Sequence, residues 1–354
     1  MTITTFIATT GNGLARATRG PNDAWTLDPL LPGEQVRCLA ADPLDAERLF
    51  AATDARGVLR SDDRGTTWRP VGLAGHHVRS LAVSATEPGT VFAGIRPVAL
   101  YVSRDGGESW AELPALRRMR RWWWLSPAEW PPRPYVQQIA LSPTEPGVML
   151  AGIEAGAVLR SADGGRSWHG HLKGAVRDCH TLTFHPTDGD WAYEGGGGGA
   201  SFSRDAGRTW TQPQRLSVRG MWMQLVGAGL KEDAGRAAGL DRFYGWAVGA
   251  DPAQPNLWYF AAAPNPGQAH GHNGNAQAAI FRHNGNGAWR RLAGGLPDPL
   301  GDMPYALITD VGAPGHVYAG LSSGAIWHSP DYGDSWAQLP VTLPAIARTL
   351  IALR

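Results

Sequence analysis

The 354-residue chain has only two cysteines, Cys38 and Cys179, too few for a disulfide framework. Lysine is almost missing as well: Lys173 and Lys231 are the only two among 32 basic residues, and the rest are arginines. Charged residues make up 18% and the formal net charge is +1. That balance excludes a strongly basic nucleic-acid binder and an acidic solvating tail. No run approaches the roughly 18 apolar residues of a membrane span. The first twenty residues lack a basic segment followed by an apolar one, so no secretory leader is read. The expected location is the cytoplasm of a bacterium. What the chain has in quantity is turn formers, 46 glycines and 27 prolines, beside 43% hydrophobic residues. That combination points to many short strands rather than to disorder.

The strands repeat. Five segments read S-x-D-x-G-x-[ST]-W: Ser61 to Trp68, Ser103 to Trp110, Ser161 to Trp168, Ser203 to Trp210 and Ser329 to Trp336. Degenerate copies end at Trp25 and Trp289, which makes seven units. Each unit has an apolar strand ending at a D-P or S-P turn, then a second strand, a third leading into the box, and a fourth begun by the tryptophan. Four short strands per unit describe a propeller blade. In the box the Asp can accept backbone N–H bonds, the Gly permits positive φ, and the Trp can pack between blades. These residues read as structural staples. The N-terminus supplies three strands of a blade, and ARTLIALR at the C-terminus reads as its innermost strand. Pairing the termini closes an all-β, seven-bladed ring over residues 1–354.

The boxes resemble those of the BNR/Asp-box superfamily. It includes sialidases, xyloglucanases with paired seven-bladed propellers, sortilin-type receptors and a photosystem II assembly factor. The resemblance covers essentially the whole chain and implies the propeller fold. It is greatest to single-propeller bacterial proteins of the sialidase-like, glycosyl-hydrolase-like kind. The chain departs from sialidases in having no Arg-Ile-Pro-like segment near its first blade; Gly94-Ile95-Arg96-Pro97 ends a second strand in a later unit. The family's paired Tyr and Glu cannot be placed by motif. Sialidase activity is therefore not carried over.

The repeat phase locates the candidate site. The innermost strands enter at Arg37, Arg79, Gln137, His180, Trp246, Tyr305 and Arg348. Two positions later each strand carries Leu, Ile or Val. A polar ring above an apolar layer predicts an electropositive channel mouth in which arginines capture a carboxylate or phosphate. The ends of second strands add Asp54, Arg96, Glu154 and Glu194 on the same face. The long insertions, 114–135, 211–245 and 264–278, also fall there.

Two classes of function follow. In the first, an enzyme or small-ligand binder takes an anionic substrate, a carboxylated sugar for example, by hydrolysis or β-elimination. Arg37, Arg79, Arg96, Gln137, Trp246, Arg348 and Trp123 would bind the ligand. His180, Tyr305, Glu154 and Glu194 would serve acid–base roles. In the second, a non-enzymatic module docks a protein through the Arg- and Trp-rich loop 117–135. No cofactor is expected, apart from a divalent metal at His270 and His272, an H-x-H pair without a sequence-local third ligand. Neither nucleic acid nor a membrane is an expected partner.

Overall fold

The computed structural model describes residues 3–120, 124, 126, 130–213, 239–271 and 273–354. Its strands form seven antiparallel sheets arranged as the blades of a propeller. The innermost strands are Val36–Asp42, His77–Val83, Val136–Leu141, Cys179–Phe184, Tyr244–Asp251, Pro304–Thr309 and Leu350–Leu353, taken here as blades 1 to 7. Among the described residues blades 3 and 4 have three strands each, their fourth reduced to single bridges at Arg160–His169 and Phe202–Thr211.

Blade 7 closes the ring. Leu350–Leu353 pairs antiparallel with Thr5–Thr9, so Thr5 faces Leu353 and Ala8 faces Leu350. The two termini therefore meet in one sheet, as the sequence phase predicts. Among the described residues no helix is long and apolar enough to cross a membrane.

Several of the second strands are buried from end to end. Met149–Ile153, Ala192–Gly196 and Val317–Leu321 have every residue buried. A strand covered on both faces needs an apolar run, and blade stacking needs small residues where backbones approach. Gly152 shows the constraint: a Cβ there would stand 2.4 Å from Cys179 Sγ on the next blade. That close packing accounts for the buried, protonated state of Cys179, whose thiol pKa is raised by burial.

The five boxes adopt one structure. In the third, Ser161 Oγ donates to Asp163 Oδ1 at 2.8 Å and accepts from the Gly165 N–H at 2.9 Å. Asp163 in turn accepts from the Ser167 N–H at 2.8 Å and from its hydroxyl at 2.5 Å. These hydrogen bonds outweigh partial burial and hold Asp163 at a pKa of about 2. Trp110 ties blades together, donating from Nε1 to Val71 of the preceding blade at 2.9 Å. The antiparallel order puts these turns on the face opposite the entries of the innermost strands.

Candidate functional site

The innermost strands share an irregularity that sequence reading does not reveal. Six of them are bulged near their start. The register skips between Val36 and Cys38, Val78 and Ser80, Val136 and Gln138, Cys179 and Thr181, Gly245 and Val248, and Pro304 and Ala306. The skipped residues include Arg37, Arg79, Gln137, His180, Trp246 and Tyr305. A bulge frees a residue from the ladder and re-aims its side chain, a common device beside functional sites. On blade 7 Arg348 precedes the strand, and Thr9 Oγ1 accepts from its N–H at 3.2 Å. Beneath the ring lies a buried layer of Leu39, Leu81, Ile139, Leu182, Val248, Leu307 and Leu350.

The mouth is polarised. Arginines stand on blades 7, 1 and 2. Arg37 grips Asp54 through Nε, 2.9 and 2.8 Å from the two carboxylate oxygens. Although burial opposes it, that contact lowers the Asp54 pKa, with the charge of Arg79 adding to the effect. Arg79 is buried and lies over the Tyr135 ring, 4.3 Å from its centroid. Arg348 faces the Trp246 ring at 5.8 Å. Burial, then the neighbouring Arg79, lowers the Arg348 pKa; Arg37 contributes as well. Among the described residues no carboxylate lies within ion-pair distance of Arg348.

A second group stands on blades 3 and 4. Oxygens of Glu154 and Asp178 and a ring nitrogen of His180 all lie within 4.8 Å of one another. His180 Nδ1 is 2.7 Å from the Gly245 carbonyl, and Nε2 is 3.5 Å from Asp178 Oδ1. Burial opposes its protonation, but the Asp178 carboxylate and the Gly245 carbonyl prevail and raise its pKa. Gln137 Nε2 donates to the His180 carbonyl at 3.3 Å, joining blades 3 and 4.

The third group is aromatic and sits on blades 5 and 6. A single helical turn, Pro266–Ala269, is capped by Asn265, whose side chain accepts from the Gln268 N–H at 3.0 Å. The turn delivers His270 between two tyrosines: Tyr244 Oη is 2.8 Å from Nε2 and Tyr305 Oη is 2.6 Å from Nδ1. Tyr305 Oη also lies 3.2 Å from the Ala269 carbonyl. One assignment satisfies every partner. Tyr305 donates to Ala269, His270 donates from Nδ1 to Tyr305, and Tyr244 donates to Nε2. Burial raises both phenols, Tyr305 to about 12, so both hold their protons near neutrality. Trp246 fills the centre, in edge contact with His270 and Tyr305 at 5.3 and 5.2 Å.

The remaining candidates lie elsewhere. Glu194 is fully buried inside blade 4, where one carboxylate oxygen accepts from the Val176 N–H at 2.7 Å and the Ser201 hydroxyl at 2.6 Å. Burial pushes its pKa up to about 8. Arg96 reaches outward to the Pro131 carbonyl at 2.6 Å. In the 114–135 insertion Trp124 is buried in the apolar cluster that holds Leu100 and Val136, whereas Trp130 is 89% exposed. Trp123, His272 and residues 214–238 of the 211–245 insertion lie outside the described residues. Sequence reading missed Tyr135, Asp178 and Tyr244. Each stands two positions before a ring residue, so the repeat phase itself carried the signal.

Against known proteins, no family model matches the chain. Eighty-three residues are 32% identical to an oligoxyloglucan reducing-end-specific xyloglucanase of Emericella nidulans, covering 22% of this chain and 10% of that enzyme. Among solved structures, the xyloglucanase of family GH74 from Xanthomonas campestris superposes with a TM-score of 0.66 at 19% identity, over 95% of this chain and 52% of that one. An ancestral GH74 enzyme gives 0.60 at 18% identity, over 93% and 38%. The chain thus spans about half or less of these enzymes. YCF48 from Cyanidioschyzon merolae gives 0.55 at 14% identity, over 88% of this chain and 87% of that one. At these identities the likeness shows a shared fold.

Proposed function

We propose that the channel mouth binds a small carboxylated ligand, a uronate-type sugar being the class that fits best, and promotes β-elimination from it. The observation that carries this reading is Arg348. It is half-buried, flanked by Arg79 and Arg37, packed toward Trp246, and has no carboxylate at ion-pair distance among the described residues. A guanidinium in such surroundings favours an anion, and Trp246 offers an apolar wall to a sugar ring.

Elimination fits the neighbouring groups better than inverting hydrolysis. An inverting carboxylate pair stands roughly 6.5–9.5 Å apart to admit a water. The nearest oxygens of Glu154 and Asp178 lie within 4.8 Å of one another, short of that separation. In elimination a proton leaves the carbon α to the carboxylate, a C=C bond forms, and the β C–O bond breaks, its oxygen taking up a proton. Arg348 and Arg79 would stabilise the charge that develops on the carboxylate. In the Tyr244–His270–Tyr305 chain, Tyr244 would accept the proton as it passes its own to His270 Nε2, His270 would pass its Nδ1 proton to Tyr305, and Tyr305 would give its own to the leaving oxygen. Glu194 has no part in this step, since its carboxyl is sealed within the blade.

Calorimetric titration of the purified chain with a uronate oligomer and with a neutral oligosaccharide tests the reading. Binding of the uronate alone, lost in Arg348→Ala, is the expected result, with an ultraviolet-absorbing unsaturated product as the sign of turnover. Equal binding of the neutral sugar, or unaltered uronate binding by Arg348→Ala, would overturn it.

A second reading rests on Trp130. An indole 89% exposed is unusual on a free surface and suits contact with another protein. The near full-length superposition on YCF48, solved in one case bound to a D1 peptide, supports it at the level of fold.

A further inference from the structure

We propose that Glu154, Asp178 and His180 form a binding site for one divalent transition-metal ion, Mn²⁺ or Zn²⁺, at the channel mouth. The residues come from different elements that the fold brings together. Glu154 follows the second strand of blade 3, Asp178 precedes the innermost strand of blade 4, and His180 is that strand's bulged residue. Their donor atoms lie within 4.8 Å of one another.

Three observations separate this group from a chance cluster of charges. First, Glu154 is 9% exposed, and although the Tyr135 hydroxyl acts on its carboxylate, its Oε2 is buried without a hydrogen-bond partner among the described residues. A buried carboxylate oxygen left so is costly, and a cation would satisfy it. Second, His180 is oriented as a ligand. Its Nδ1 is 2.7 Å from the Gly245 carbonyl, which can only accept, so Nδ1 carries a proton and Nε2 is turned to Asp178. Metal-bound imidazoles are commonly fixed in this way by a carbonyl on the other nitrogen. Third, the Ala155 N–H, 3.3 Å from Asp178 Oδ1, holds that carboxylate beside the His180 ring, with the side chain 40% exposed.

The donor set selects the metal. One imidazole and two carboxylates suit a borderline ion better than Ca²⁺ or Mg²⁺, which take oxygen alone. Bonds of about 2.1 Å at tetrahedral angles put ligand atoms about 3.4 Å apart. The three groups therefore need to close by an ångström or so, a distance within reach of side-chain torsions. With three protein ligands the ion would keep open coordination positions. The site adjoins the arginine half of the mouth, since the charge of Glu154 acts on Arg348, but its existence does not depend on the carboxylate reading above.

The test is metal uptake by the full chain. Chelator-treated protein is dialysed against MnCl₂ or ZnCl₂, and bound metal is measured by mass spectrometry, with free Mn²⁺ followed by electron paramagnetic resonance. The expected result is one ion per chain, lost or weakened at least tenfold in Asp178→Asn and Glu154→Gln. Asp178→Asn is nearly isosteric at a partly exposed site, so it keeps the test informative even where His180→Ala fails to fold. Arg348→Ala removes a neighbouring like charge and keeps all three ligands, so it should take up metal at least as well as the wild type while losing uronate binding, which separates failure here from failure of the anion reading. Absence of stoichiometric uptake of either ion, or uptake unchanged in both carboxylate variants, would overturn the proposal.

Discussion

The two faces of the propeller are built on opposite rules. On one face the box turns repeat with the same hydrogen bonds each time, and each turn satisfies itself: Asp163, for instance, spends both oxygens within its own eight residues. On the other face the same blades present Arg37, Arg79, Gln137, His180, Trp246, Tyr305 and Arg348, seven positions in one phase of which only the arginine recurs. The groups there look across blades for partners, as Gln137 does to His180 and Tyr244 and Tyr305 do to His270. Repetition marks what holds the ring together. The positions where repetition stops, in a phase it still defines, mark where chemistry can be placed.

Substitutions can break this contrast in order of size. Arg348→Ala should cost roughly 2–5 kcal/mol of binding to a carboxylated ligand, the range for removing one partner of a desolvated charge pair. Its thermal midpoint should stay within a few degrees of the wild type, read by calorimetry. Gly152→Val acts on the scaffold instead. Its new side chain meets Cys179 Sγ and should destabilise by about 1–3 kcal/mol, measured by denaturant unfolding. Ligand affinity of the fraction that remains folded should be unchanged.

Glu194 sharpens the comparison because it lies near the mouth yet belongs to the scaffold. Its folded pKa, about 8, stands above its ordinary value of 4.5. Below the lower value both folded and unfolded chains hold the proton. Between the two only the folded chain does, so its contribution to stability falls as pH rises, by about 1.4 kcal/mol per pH unit, and levels off above the folded value. Glu194→Gln should flatten that slope in unfolding curves taken across the window, without altering ligand binding at neutral pH. The smallest effect is expected from Ser161→Ala. It removes a buried hydroxyl that bonds Asp163 and Gly165, at a cost of about 1 kcal/mol, and should leave the mouth untouched.

Much of the architecture was legible in the chain because its determinants are local and periodic. The box, the alternation of turns and apolar strands, and the reading of ARTLIALR as an innermost strand all follow from spacing. The ring residues were legible for the same reason. Their partnerships were not. Nothing in the spacing of Glu154, Asp178 and His180 announces that two blades bring them together, and the bulges that turn the ring inward leave no residue signature. His270 is placed by a helical turn capped by Asn265, a local device, but its contact with Tyr305 spans 35 residues and a blade boundary. Glu194 misleads for the opposite reason: a Glu ahead of a glycine run suggests an open site, while the strand phase directs it into the blade.

The most direct test of the central claim is hydrogen–deuterium exchange of the whole chain with and without a saturating uronate oligomer. The account predicts protection at the strand entries around Arg37, Arg79, His180, Tyr305 and Arg348, with exchange in the five box turns unchanged. Protection confined to the box face, or to the segment around Trp130, would contradict it.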